Sequence, residues 1–76
     1  MFLKIYTENI ENGYVNASKM SEFCLKKVRL EDDIDAYYVK GFIVEGEDYT
    51  DYQLTPYIEK EKASDRLIEI IEMLNG

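Results

Sequence analysis

The last eighteen residues, "EKEKASDRLIEIIEMLNG", carry the strongest constraint on the fold. Ala63, Leu67, Ile70, Ile71 and Leu74 recur at the 3.6-residue period of one helix face, with Ile68 and Met73 flanking it. Upstream of Glu59 the period is two. "AYYVKGFIV", residues 36–44, is β-branched and aromatic, and it predicts a central strand. A helix with one apolar stripe needs a cover, and the only other structure this chain offers is a face of a sheet. The expected fold is therefore α+β: an antiparallel sheet of four to five strands in a meander, with one C-terminal helix over residues 60–74 packed on one face.

The remaining strands follow from alternation and turn residues. "FLKIYT" puts Leu3 and Ile5 on one face and Phe2, Lys4 and Tyr6 on the other. Asn12-Gly13 suits the positive backbone angles of a tight hairpin turn into "YVNA". "SKM" reads as a turn or a single helical turn opened by the Ser18 hydroxyl. "SEFCLKKVRL", residues 21–30, reads as a third strand, with a helix as the competing reading. Gly41 marks a bulge or a close packing point for an aromatic neighbour. "YTDYQLTPYI" makes a fifth strand that lies at an edge or ends near Pro56, which cannot donate to a ladder.

With 76 residues, the chain is expected to form a single domain, residues 1–76. A chain this short buries only about 60–65% of the surface its unfolded form exposes, so nearly every apolar side chain is needed in one core. The N-terminus lacks the basic start and continuous apolar run of a signal peptide, and no stretch approaches the ~20 apolar residues of a membrane span. A cytoplasmic protein without a membrane partner is expected. Asn16-Ala17-Ser18 then matches a glycosylation acceptor only by chance. Cys24 is alone, which excludes an internal disulfide.

Histidine is absent, and with it the commonest general base and metal ligand. No Ser-His or Cys-His nucleophile is available. Sixteen acids guarantee carboxylate pairs by chance, but a core this small leaves little room for a pocket. No enzymatic activity, cofactor or metal is expected. A calcium loop begun at Asp33 would place Asp35 at position three, but Tyr38 at six and Val44 at twelve, where glycine and glutamate are required.

The net charge of −7 is unevenly placed. Residues 1–30 sum to +2, and residues 31–76 carry thirteen acids against four basic residues. Such a surface argues against direct nucleic-acid binding, which needs a basic footprint. Two acidic clusters stand out, Glu31, Asp32, Asp33 and Asp35 before the central strand, and Glu45, Glu47 and Asp48 after it. Tyr49, Asp51 and Tyr52 extend the second. In a simple meander the first cluster would share one end of the sheet with Glu8 and Glu11, and the second would lie roughly 25–30 Å away. These residues are candidates for binding a basic protein surface, such as the groove of a nucleic-acid-handling protein. The same carboxylates also fit plain solubilising turns, and the seven tyrosines fit ordinary strand filler.

"YVNASKMSEF" followed by "YIEKEKASDRLIEIIEMLN" resembles small uncharacterised proteins of Firmicutes and their phages or mobile elements. The resemblance implies a β-meander with a C-terminal helix, although Glu59 stands where those proteins tend to open the helix with Thr or Asp. It brings no catalytic residues. A phage setting would imply an inhibitor that mimics DNA and blocks a host defence nuclease, for example an anti-CRISPR protein. A homodimer or other small structural or adaptor module, or a small-ligand sensor domain, is the alternative.

Overall fold

The computed structural model describes residues 1–76. Its elements run β1 (Phe2–Lys4), β2 (Tyr14–Asn16), β3 (Met20–Arg29), β4 (Asp35–Glu45), β5 (Asp48–Gln53) and α1 (Lys60–Asn75). The fold is α+β, with five antiparallel strands and one helix packed against a sheet. The strands are divided between two sheets: β1 pairs with β2, and β3–β4–β5 form a three-stranded meander. One backbone bond, from the Tyr6 N–H to the Gln53 carbonyl at 2.8 Å, joins the two.

The split follows from the first loop. The expected tight turn at Asn12-Gly13 is instead a long loop that begins after Lys4, with Asn9 and Asn12 both at positive φ. Gly13 serves packing: a Cβ there would lie 2.6 Å from Ile10 and 2.8 Å from Ile5. The chain turns away before β1 can pair along the larger sheet. At Ala17–Lys19 it makes one 3₁₀ turn, in which the Asn16 side chain, not the Ser18 hydroxyl, caps the Ser18 N–H.

In the larger sheet, β3 is a strand and not a helix, because its pairing with β4 runs from Met20↔Ile43 to Arg29↔Asp35. Paired residues share a face. Phe23, Leu25, Val39, Ile43 and Tyr52 thus lie on the face covered by α1. Leu3, Ile5, Val15, Ala17, Leu54 and Ile70 complete the core around Val39. Gly41 is a close packing point, as expected, but its nearest neighbours are Met20 Sδ and Leu54 Cδ1 rather than an aromatic ring. The irregularity in the ladder sits on β3, between Met20 and Glu22.

Regular pairing of β5 ends at Gln53, before Pro56, and resumes only at an isolated bridge between Tyr37 and Ile58. In the gap Thr55, 4% exposed, replaces the missing ladder bond. Its Oγ1 accepts from the Val39 N–H at 3.1 Å and donates to the Pro56 carbonyl at 2.9 Å.

Helix α1 starts at Glu59 without a side-chain cap and ends with the Gly76 N–H donating to the Glu72 carbonyl. Ala63 and Ile70 are buried, and Leu67 and Leu74 are half-buried. Ile71, expected on the docked face, is exposed, as are Ile68 and Met73. No helix is long and apolar enough to cross a membrane.

Candidate functional site

The candidate residues occupy the two ends of β4. From Asp35 to Glu45 this strand has ten residue rises of about 3.3 Å, which separates its ends by roughly 33 Å. The long axis of the molecule is 39 Å.

At the first end, Glu31–Asp33 form a tight turn, closed by the Leu30 N–H donating to the Ile34 carbonyl at 2.7 Å. Asp32 and Asp33 have φ of 65° and 58°, a region that Asp tolerates better than most residues. Glu31, Asp32 and Asp33 are exposed and make no ion pair. Asp35 differs, because β3 places Lys27 at 3.3 Å and Arg29 at 3.4 Å from its carboxylate. The first acidic end is therefore partly neutralised. Glu8 does not reinforce it. Glu8 lines a shallow groove with Tyr38, Lys40, Asp51 and Gln53, beside the middle of the sheet.

Partial desolvation pushes the Asp35 carboxyl upward. The hydrogen bonds and charges of Lys27 and Arg29 outweigh this and leave it below the ordinary value of 3.8. A carboxylate lowered in the folded state stabilises the fold above its unfolded value and loses that contribution as pH falls through the folded one. A titration of the Asp35 carboxyl followed by NMR should therefore show a midpoint below 3.8, raised in Lys27→Ala. A midpoint at or above 3.8 in the parent would contradict the pairing.

The second end is a two-residue hairpin. Glu45 pairs with Asp48, and Gly46 at φ 64° occupies the first turn position. Positive φ at that position alone fits a type II′ turn. Glu45, Glu47 and Asp48 are exposed, and none makes an ion pair. Strand alternation sends Tyr49 and Asp51 to the sheet face opposite α1, and Tyr52 toward the core. Asp51 is held by Lys40 at 2.7 Å, and this bond raises Lys40 above its ordinary value against the opposing pull of desolvation. Tyr52 packs against the core and is only half-exposed, so it does not share a face with Tyr49 and Asp51.

Residues that the sequence reading passed over join the hairpin. Phe42 lies 6.2 Å from Tyr49, ring centre to ring centre. Glu22, Phe42, Val44 and Tyr49 line an open depression of about 340 Å³ on the face away from α1. Val44 is 52% and Tyr49 70% exposed. The alternation in "AYYVKGFIV" already separates Phe42 and Val44 from Val39, and that signal could have found them. The hairpin carries three unpaired carboxylates and an exposed aliphatic and aromatic patch, with Glu45 and Asp48 alternating to the α1 face and Val44 and Tyr49 to the other. No group of three or more acidic, Cys or His side chains is placed to hold a metal ion. No family model, curated protein or solved structure matches the chain.

Proposed function

We propose that this chain is a non-enzymatic interaction domain that docks on a basic protein surface through its β4–β5 hairpin. One observation carries the reading: Glu45, Glu47 and Asp48 have no intramolecular cation, and the hairpin tip they form carries Phe42, Val44 and Tyr49 on the sheet face opposite the one to which Glu45 and Asp48 alternate. Exposed charge steers association, and aromatic side chains beside it supply the desolvated anchor on which affinity depends. The Glu31–Asp33 turn, at the far end of β4, is a second negative pole. Two poles set apart along a rod suit a long basic groove, and a nucleic-acid-handling protein, including a host defence nuclease met by a phage-encoded inhibitor, is the partner class that offers one. A cytoplasmic setting fits that class.

The test begins with a partner captured by the wild-type protein. Its association rate is then measured against ionic strength for three proteins: the parent, a variant with Glu45, Glu47 and Asp48 changed to Lys, and a control with Glu69 and Glu72 changed to Lys. The hairpin variant should associate about tenfold or more slowly at low salt, with the difference shrinking as salt rises. The helix control should change little. Equal slowing in both would mean that net charge, not a site, governs binding.

A second reading, a self-associating module, is favoured by a separate observation. The surface area is 5592 Å², against about 4,850 Å² expected for a compact monomer of 9.0 kDa.

A further inference from the structure

We infer that the free edge of β3 pairs antiparallel with β3 of a second copy, in the one register that brings Cys24 opposite Cys24 on a two-fold axis. The inference stands independently of the hairpin reading and concerns the protein alone.

β3 is an edge strand of ten residues. On β4, Tyr37 exchanges backbone bonds with Ile58, and the Val39 carbonyl accepts from Leu54, so the odd-numbered residues point their polar groups toward the β5 side. The even-numbered residues of β4 therefore face β3, where their partners are Glu22, Cys24, Lys26 and Val28. By the alternation of an antiparallel ladder, Phe23, Leu25 and Lys27 aim their N–H and C=O groups outward. None of these groups takes part in a backbone bond outside the regular elements or in a side-chain bond. Such an edge is a template for another strand unless its side chains forbid it.

The side chains of β3 select a partner rather than forbid one. With Cys24 on the axis, Glu22 of each copy lies opposite Lys26 of the other, twice by symmetry. Phe23 lies opposite Leu25, also twice, on the face that carries the core. A register two residues away puts Phe23 opposite Lys27 in one direction, and in the other leaves Glu22 opposite Cys24 and Lys26 opposite Met20, both without a charge partner. A register four residues away puts Lys26 opposite Lys26, or Glu22 opposite Glu22 in the other direction. Lys26, which would guard the edge against wrong pairings, is matched only here. The result is a six-stranded sheet with both helices on one face.

Cys24 supplies a geometric readout. In this register the two cysteines form a non-hydrogen-bonded pair with Cα atoms about 4.5 Å apart, within the span of a disulfide. The oligomeric state is measured by sedimentation at several concentrations. Cross-linking is driven by diamide, which takes up the two electrons and two protons released as two thiols become one disulfide. The parent should sediment as two chains of 9.0 kDa and give a covalent dimer within minutes. Glu22→Lys and Lys26→Glu, each checked for an unchanged circular dichroism spectrum, should each weaken the dimer about tenfold at low salt. The double variant, Glu22→Lys with Lys26→Glu, should restore both dimer and cross-link. A parent that remains monomeric at several hundred micromolar overturns the inference. So does a dimer that both single variants leave intact, because its interface then lies elsewhere.

Discussion

Ile70→Ala should remove a large share of the protein's folding stability. Ile70 is fully buried on α1 and packs in the cluster with Val39 and Leu54. Truncating such a side chain costs about 2–5 kcal/mol, the lost transfer energy plus the cavity. At roughly 0.05–0.15 kcal/mol per residue, a domain of this size holds only about 4–11 kcal/mol in total. The helix has no side-chain N-cap, so its packing through Ile70, with Ala63, Leu67 and Leu74 beside it, is what secures it. Ile71→Ala is the control. Ile71 is one residue away but exposed, and its loss should cost under about 1 kcal/mol. Urea melts of both variants decide the matter. Equal losses would mean that α1 is rotated relative to the docking described above.

Thr55→Val should cost about 1–3 kcal/mol although it removes no volume, because it strands a buried N–H. The Thr55 hydroxyl is the acceptor for the Val39 N–H at the core of β4, where the chain has left the ladder to pass Pro56. Valine has the right shape and no acceptor. Thr55→Ser keeps the hydroxyl and should lose less than half as much. Hydrogen exchange at the Val39 amide gives a local reading: it should speed up in the valine variant and stay protected in the serine one. A valine variant as stable as the parent would show that the bond contributes nothing net.

These two predictions mark what could be read in advance. The α+β plan, the central strand and the helix were legible because they depend on local periodicity. The hairpin turn at Gly46 had a local signal too, since glycine between two strands suits a positive φ. The Thr55 bridge was not, since it joins residues 16 apart and depends on how the chain bends at Pro56. The placement of Ile71 also failed for a physical reason. Ile70 and Ile71 differ by about 100° around the helix, and only contact with the sheet decides which sits at the centre of the stripe. The pairing of Asp35 with Lys27 and Arg29, and of Asp51 with Lys40, depends on strand register. Sequence alone counted those carboxylates as free. The separation of Tyr49 and Asp51 from Tyr52 was legible, because it follows from strand alternation alone.

The acidic candidates therefore narrow. Glu45, Glu47 and Asp48 keep their charge unopposed at the tip of the hairpin that also carries the exposed Tyr49 ring, whereas Asp35 and Asp51 spend theirs within the fold. The most direct measurement is the set of backbone amide shifts of the ¹⁵N-labelled protein, titrated with a partner captured through it. The account predicts that the largest changes fall on residues 44–49, with Phe42 beside them, and that Glu69 and Glu72 on the outer face of α1 stay in place. Changes centred on α1 or on the Glu31–Asp33 turn, with the hairpin unmoved, would contradict it.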